Sequence, residues 1–414
     1  MKTNKMSGII GIISLLWLMT AVPVNANPVK KTINTGGFER EYKVYIPQNQ
    51  LYEKMNGILV CLHGFGRTMD DFFDQYDITA IADSLNMMVV APQALPEQDS
   101  HVYDVTSTLI SLVPDTEISL HSVWGCGLSV RVSMIVLGTL IDEELNKDVD
   151  DVAFIDAMID EVIAEYTLSD ENIFVLGTSM GGYMTYQYAL QKGERISGII
   201  PIAGSFGLSI KGMDHATKLP VCDFHSITDE VVPYTGSQTQ SVYTIELAQS
   251  KADVIDFWRQ TNSTGNPVTE QVNYYPSTNG ITVDKITYPE QDNEVIHYKI
   301  TGAPHSYFFK KENGDCMDHA EEIIKFITSH HAVLSHNTPI FKEQKPFFYP
   351  NPFFDKIYFS TPDGIISIYD LSGRLLLTQS FTDGQTDLSL LKPGIYIIRI
   401  QSGNTLQASK LIKR

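Results

Sequence analysis

The polar and apolar positions of this chain switch repeatedly between two periods. Residues 39–46 alternate as a half-buried strand does, and residues 58–62 form a short unbroken apolar run, the pattern of a strand covered on both faces. Residues 78–86 have helical spacing, and 88–91 are strand-like again. Within 151–166, Val152, Ile155, Ile159, Val162, Ile163 and Tyr166 share one face at helical spacing behind an acidic start. Residues 173–176 read as a strand and 180–192 as a helix closed by Gly193. Beyond them, 199–203, 221–224 and 295–300 read as strands, with helix over 253–259 and a closing helix over 318–330. This alternation predicts an α/β domain, a doubly wound, mostly parallel sheet with helices on both faces. Ligands of such sheets bind at the carboxyl ends of strands, so chemistry is expected in the loops just after them.

The two ends break the pattern. Lys2 and Lys5 precede an apolar run from Ile9 to Met19 and then Val24-Asn25-Ala26, the three-part layout of a secretory signal peptide over residues 1–26. The run is shorter than the roughly 20 apolar residues of a spanning helix, so the mature chain is expected to start near Asn27 without a membrane span. Residues 333–346 are polar and read as a linker. From 347 to 414 six short β-type runs follow one another, separated by turn pairs such as Asp363-Gly364, Asp383-Gly384 and Pro393-Gly394, which predicts a small all-β sandwich after the α/β domain of residues 27–332.

Charge sharpens the division. The net charge is −19, and residues 27–346 hold 21 basic and 44 acidic side chains, so nucleic acid is not an expected partner. There are four cysteines, Cys61, Cys126, Cys222 and Cys316, in a chain expected to be exported. Cys61 and Cys222 fall in or beside core strands, while Cys126 and Cys316 look loop-borne, so a Cys126–Cys316 bridge is the favoured pairing. No Cys-x-x-Cys pair and no helical metal-ligand spacing occurs, so neither a metal nor another cofactor is expected.

The chemistry concentrates in four loops. Residues 173–182, Ile-Phe-Val-Leu-Gly-Thr-Ser-Met-Gly-Gly, run from strand into helix through Gly-x-Ser-x-Gly. That context makes Ser179 a candidate nucleophile on a sharp elbow, with Gly177 and Gly181 where a Cβ would collide with backbone. A serine hydroxyl needs a base, and the base an orienting acid, in the chain order Ser, acid, His. Asp229 follows the strand at 221–224 and is the candidate acid, with Glu230 and Asp223 as competitors. His305 follows the last strand on a Gly/Pro-containing loop and is the candidate base. Two backbone N–H groups should face the oxyanion: Met180, directly after the serine, and Phe65 in His63-Gly64-Phe65-Gly66. His63 reads as a buttress of that loop rather than as a base. His297 reads as an ordinary strand residue.

Two segments resemble known families. Tyr349-Pro350-Asn351-Pro352, Ile368-Tyr369-Asp370-Leu371-x-Gly373-Arg374, Leu391-x-Pro393-Gly394-x-Tyr396 and Lys410-Leu411-Ile412 resemble the C-terminal sorting domain of type IX secretion substrates. This resemblance implies passage across the outer membrane through the type IX machinery, to the cell surface or the medium. His63-Gly64-Phe65-Gly66, Asp150-Asp151-Val152-x-Phe154-Ile155-Asp156, Gly177-x-Ser179-Met180-Gly181-Gly182, Asp229-Glu230-Val231-Val232-Pro233-Tyr234 and the Gly302-x-x-His305 loop resemble the feruloyl esterase and poly(3-hydroxybutyrate) depolymerase group of α/β-hydrolases, akin to carbohydrate esterase family 1. This second resemblance implies a cofactor-free serine esterase with Ser179, Asp229 and His305 as its triad and a polysaccharide-linked or polymeric ester as substrate. The chain departs from that group at Ser226, where glycine is usual, and over residues 98–148, which do not align. The expected activity is hydrolysis of feruloyl or acetyl esters of plant cell-wall polysaccharide. A polyester depolymerase, a serine peptidase and a non-catalytic adhesin are the rival readings.

Overall fold

The computed structural model describes residues 27–48, 55–111, 120–134, 138–240, 243–331, 348–349, 352–359, 361–369, 375–402 and 405–414. The expected signal peptide and linker lie outside the described residues, as do parts of the sorting-domain motifs around 350–351 and 371–374. The chain divides into two compact units, with the division after Asn337.

The first unit opens with strands β1 (Val29–Thr35), β2 (Phe38–Tyr45) and β3 (Gly57–Leu62), helices α1 (Met69–Gln75) and α2 (Ile78–Leu85), and β4 (Met87–Pro92). Next come α3 (Ser100–Ser111), β5 (Ser129–Met134), β6 (Gly138–Glu144), α4 (Asp151–Tyr166), β7 (Ile173–Thr178), α5 (Met180–Lys192) and β8 (Gly198–Ile202). The unit ends with β9 (Val221–Ser226), β10 (Ser237–Gln240), β11 (Tyr243–Glu246), α6 (Lys251–Asn262), β12 (Val268–Gln271), β13 (Thr282–Tyr288), β14 (Val295–Thr301) and α7 (His319–His330). Ten strands form one sheet in the order β1-β2-β4-β3-β7-β8-β9-β14-β13-β12. From β4 to β14 every neighbouring pair is parallel, and antiparallel strands flank both sides.

Alternation along the central strands builds two cores. Ile58, Val60 and Leu62 of β3 and Ile173 and Val175 of β7 pack on one face, against α4, α5 and α6. Leu59, Cys61, Phe174 and Leu176 pack on the other, against α1, α2 and α7. Successive side chains of a strand point to opposite faces, so a fully apolar strand feeds both layers. α5 lies across the middle of the sheet with every residue from Met180 to Leu190 buried.

This arrangement corrects the expected disulfide. All four cysteines are free and buried. Cys126 belongs to the core on the α4–α5–α6 face and Cys316 to the core on the α7 face, so the sheet stands between them. Both residues look loop-borne in sequence, but each loop folds into a core.

Residues 98–148 hold a second structure. The hairpin β5–β6, from the connection after β4, and the hairpin β10–β11, from the connection after β9, join through an antiparallel β11–β5 pair in a four-stranded sheet ordered β10-β11-β5-β6. The approach to it is pinned by a buried ion pair. Asp151 at the start of α4 takes Arg40 Nη2 at 2.5 Å on one oxygen and the Gly125 N–H at 2.7 Å on the other. The Arg40 guanidinium lies 3.9 Å above the Phe154 ring.

The second unit is all-β. Strands β15 (Phe348–Tyr349), β16 (Lys356–Phe359) and β19 (Gln385–Asp387) make one sheet, and β17 (Gly364–Tyr369), β18 (Leu375–Phe381), β20 (Gly394–Ser402) and β21 (Thr405–Lys413) make the other. Phe348, Phe353, Ile357, Ile366, Ile368, Ile398 and Leu411 fill the space between them. A second small sheet with its own core is how a chain of short strands buries alternating apolar residues.

Candidate active site

β7 delivers Ser179 to the carboxyl edge of the sheet, and α5 begins at the next residue. Ser179 has φ +54° and ψ −120°, a backbone conformation that costs a non-glycine residue on the order of 1–3 kcal/mol. The surroundings enforce it. The Ser179 N–H donates to Ile202 O at 2.8 Å, and its carbonyl accepts the Gly182 N–H at 2.8 Å. A Cβ at Gly177 would sit 2.1 Å from Gly181 O, and one at Gly181 would sit 1.9 Å from Leu62 O. Only glycine at both positions lets strand, elbow and helix come this close.

The elbow aims Ser179 at the loop after β14. Ser179 Oγ lies 2.8 Å from His305 Nε2, and His305 Nδ1 lies 2.7 Å from Asp229 Oδ2. Asp229 has a fully buried side chain and His305 is 18% exposed, so the line runs from interior to surface. The remaining oxygen, Asp229 Oδ1, accepts the Val231 and Val232 N–H groups at 2.9 and 2.8 Å. Burial alone would raise the pKa of Asp229. The His305 ring and the Val232 N–H outweigh burial and hold the carboxyl below its usual range. An ionised Asp229 accepts from Nδ1–H, which leaves Nε2 free to take a proton from Ser179.

Ser226, where the resembling group usually has glycine, ties the two loops together. Its hydroxyl donates to Ala303 O at 2.7 Å and lies 2.9 Å from Thr228 Oγ1. Thr228 in turn accepts the Gly302 N–H at 3.1 Å. The acid loop and the histidine loop are thus bonded to each other two residues before His305. The competitor Glu230 is exposed, and Asp223 lies inside β9.

The Phe65 loop approaches from β3. The Gly66 N–H donates to Ser122 O at 2.9 Å and the Arg67 N–H to Gly64 O at 3.1 Å. A Cβ at Gly64 would lie 3.4 Å from Ser179 Cβ, so this loop passes directly over the serine. Among the described residues no backbone partner is found for the Phe65 and Met180 N–H groups. His63 supports the loop from below. Its Nδ1 donates to Gly64 O at 2.9 Å, its Nε2 accepts the Ala94 N–H at 3.1 Å, and its carbonyl accepts Trp124 Nε1 at 2.9 Å. Burial pushes its pKa down to about 4. Among the described residues no group of three or more His, Cys, Asp or Glu side chains converges as a metal site.

Sequence reasoning missed a second polar cluster beneath the acid loop. Lys251, at the start of α6, is buried and donates to Asp223 Oδ1 at 2.7 Å and to Gly204 O at 2.6 Å. Asp223 Oδ2 takes His297 Nδ1 at 2.7 Å, and the Tyr234 hydroxyl lies 2.8 Å from His297 Nε2. Burial would raise the Asp223 carboxyl. Lys251 and His297 instead hold it far below the usual carboxylate range. A lysine two residues after a polar loop carries no sequence mark of burial. The one available signal was an aspartate inside an apolar strand, which requires a partner.

The comparisons with known proteins divide the chain in the same way. Residues 137–265 match the family model described as Phospholipase/Carboxylesterase, a segment that contains Ser179 and Asp229 and ends before His305. Residues 347–414 match the model described as Secretion system C-terminal sorting domain. A probable feruloyl esterase C of Aspergillus clavatus is 32% identical over 92 residues, 22% of this chain and 33% of that protein. A probable feruloyl esterase C of Aspergillus niger is 29% identical over 105 residues, 25% of this chain and 35% of that protein. The chain thus spans about a third of the length of the curated relatives it matches. An acetyl xylan esterase structure from Aspergillus awamori superposes with a TM-score of 0.44 at 13% identity, covering 72% of this chain and 98% of that one. By its sheet order the body has the α/β-hydrolase fold, its residues 137–265 resemble the carboxylesterase family, and residues 347–414 match the secretion-system sorting domain.

Proposed function

We propose that this protein is a secreted serine carboxylic-ester hydrolase that releases feruloyl or acetyl groups from plant cell-wall polysaccharide. The observation that carries the reading is the unbroken line Ser179 Oγ, His305 Nε2, His305 Nδ1, Asp229 Oδ2, with contacts of 2.8 and 2.7 Å, on a serine held at φ +54°. Ser179 Oγ bonds to the ester carbonyl carbon while its proton passes to His305 Nε2. The carbonyl oxygen becomes an oxyanion, held by the Phe65 and Met180 N–H groups. Collapse breaks the carbon–oxygen bond to the alcohol, and His305 returns the proton to the leaving oxygen. Water then adds to the acyl-enzyme with His305 as base, and the acid leaves with Ser179 restored. Asp229 stays ionised throughout and supports the imidazolium. The sequence likeness to two proteins named as probable feruloyl esterases supports the choice of acyl group, and the sorting domain supports export through the type IX machinery.

Ser179→Ala is expected to lower kcat on p-nitrophenyl acetate by about 10⁴-fold or more while the melting temperature stays within a few degrees. Wild-type turnover by this variant would exclude the mechanism. Parallel assays on methyl ferulate, acetylated xylan and short polyhydroxybutyrate decide the substrate. Preference for the first two supports the proposal, and preference for the third makes the protein a polyester depolymerase.

A further inference from the structure

A buried histidine that takes no part in the Ser179–His305–Asp229 line sits under the acid loop. His225 lies in β9, four residues before Asp229, and its side chain is fully buried. Its Nε2 is 2.9 Å from Val232 O and 3.6 Å from Asp229 Oδ2, and its Nδ1 is 3.2 Å from Gly204 O. The charged and titratable groups around the ring come from three places: Asp229 and Tyr234 from the loop, Lys251 from α6, and Asp223 from β9 itself. Burial and the Lys251 ammonium push the ring's pKa down to about 4, so it holds one proton near neutral pH.

Two carbonyls face that single proton. Gly204 O already accepts Lys251 Nζ at 2.6 Å, and Val232 O is the nearer of the two to the ring. The proton is therefore assigned to Nε2, donating to Val232 O. The Nδ1 lone pair then faces Gly204 O within the field of the Lys251 ammonium, which offsets two acceptors meeting. Val232 closes the circuit. Its carbonyl accepts from His225, and its own N–H donates to Asp229 Oδ1 at 2.8 Å. The other oxygen of that carboxylate is the one facing His305.

We infer that His225 is a positioning residue for the reaction proposed above: its Nε2–H anchors the Val232 carbonyl, and through the Val232 N–H it holds Asp229 in the orientation that His305 requires. The inference rests on that triad. Among the described residues the His225 ring meets the Val232 and Gly204 carbonyls and Asp229, and it is not in the Ser179–His305 bond. Without the donor, the peptide that grips Oδ1 can turn, the carboxylate loses its aim, and the imidazolium formed during acylation is less well supported. The effect belongs to kcat and not to KM. What matters is a donor at the far end of the side chain. A glutamine amide nitrogen reaches about as far as Nε2, whereas the shorter asparagine amide reaches only as far as Nδ1.

The test uses the full chain with His225→Gln, His225→Asn and His225→Phe, read by kcat, KM and thermal unfolding. His225→Phe and His225→Asn are expected to lower kcat by about 30- to 100-fold with KM within about twofold, the cost of a small misplacement of a catalytic group. A loss confined to kcat per folded molecule at unchanged KM is a change that plain destabilisation would not produce. His225→Gln should bring kcat back to within about fivefold of wild type. Equal behaviour of the Asn and Gln variants, or wild-type kcat in the Phe variant, overturns the inference. Should the Phe variant fail to fold, the Asn and Gln pair, compared at similar melting temperature, still decides. Ser179→Ala in the same assay separates the two readings. Full turnover by that variant removes the triad itself, whereas a dead Ser179→Ala beside unaffected His225 variants removes only the role of His225.

Discussion

Two aspartates six positions apart each meet a histidine through Nδ1 at 2.7 Å, and each histidine meets a hydroxyl through Nε2 at 2.8 Å. One line is Asp229–His305–Ser179 and the other is Asp223–His297–Tyr234. By distance alone they are the same constellation. They differ in what surrounds them. The second oxygen of Asp229 takes two backbone N–H groups, which orient the carboxylate without cancelling its charge. The second oxygen of Asp223 takes the Lys251 ammonium, which neutralises it. His305 is 18% exposed, His297 only 2%. Ser179 stands on a strained elbow, whereas the Tyr234 phenol is pushed up by burial and faces His297. On the proposed reading, the same bond pattern serves chemistry where the charge is left unpaired, the hydroxyl is strained and the end is open. Where the charge is paired and the end is closed, it supports structure.

Asparagine at each aspartate breaks the comparison most directly. Asp229→Asn should lower kcat by about 10⁴-fold, because the amide favours the wrong tautomer of His305, with little loss of stability. Asp223→Asn should do the reverse. It leaves the Lys251 ammonium buried without its counter-ion, which costs about 3–5 kcal/mol in urea unfolding, while kcat per folded molecule stays within about tenfold. Lys251→Met probes the same pair from the other side and is expected to cost a similar amount. If Lys251→Met instead abolished turnover while leaving stability untouched, the division of labour between the two lines would be wrong.

The proposed catalytic line is easy to see in the sequence because each member sits in a recognisable local setting. Ser179 needs Gly177, whose Cβ would meet Gly181 O, and Gly181, whose Cβ would meet Leu62 O on β3, and both glycines are visible in the Gly-x-Ser-x-Gly pattern without a structure. Asp229 and His305 each follow a strand end, where topology puts ligands. The Asp223 cluster answers a global demand instead. Lys251 and His297 look like a helix-start lysine and a strand histidine, and only the packing of α6 and β14 around β9 brings them to one carboxylate. The end of β9 misled for a related reason. His225 and Ser226 are polar and read as loop, yet they pair with Lys299 and Ile300 of β14 and are buried. The sheet of β5, β6, β10 and β11 was invisible because its partners come from two distant connections and alternate only weakly. The cysteines failed because no local pattern tells which face of the sheet a loop will fold into.

The smallest effect concerns histidines that lack a carboxylate partner altogether. His297 and His305 each have one, whereas His63 and His319 are buried without one. Burial lowers His63 to about 4 and His319 to about 3 from the ordinary value near 6.5. The folded state therefore resists the proton that the unfolded chain accepts. The sign follows from linkage: this contribution is intact above the unfolded value, erodes as pH falls through 6.5, and is spent once pH passes the folded value. Each ring should withdraw stability by at most about 1.4 kcal/mol per pH unit across that window, on the order of 3 kcal/mol in all for His63 and about 5 for His319. The depressed Asp223 and Asp229 carboxyls add their losses only at lower pH, below the usual carboxylate range. His319 packs among Phe224, Phe308 and Phe309, so His319→Phe suits the site by shape, although it gives up the acceptor for the Phe309 N–H at 2.7 Å. Urea midpoints at neutral pH and at two mildly acidic pH values should fall less steeply with acid in His319→Phe than in wild type, even if the variant starts lower. Parallel slopes in the two proteins would mean that this ring is not what acid attacks first, and would shift attention to His63 and His225, whose pKa values are also lowered by burial.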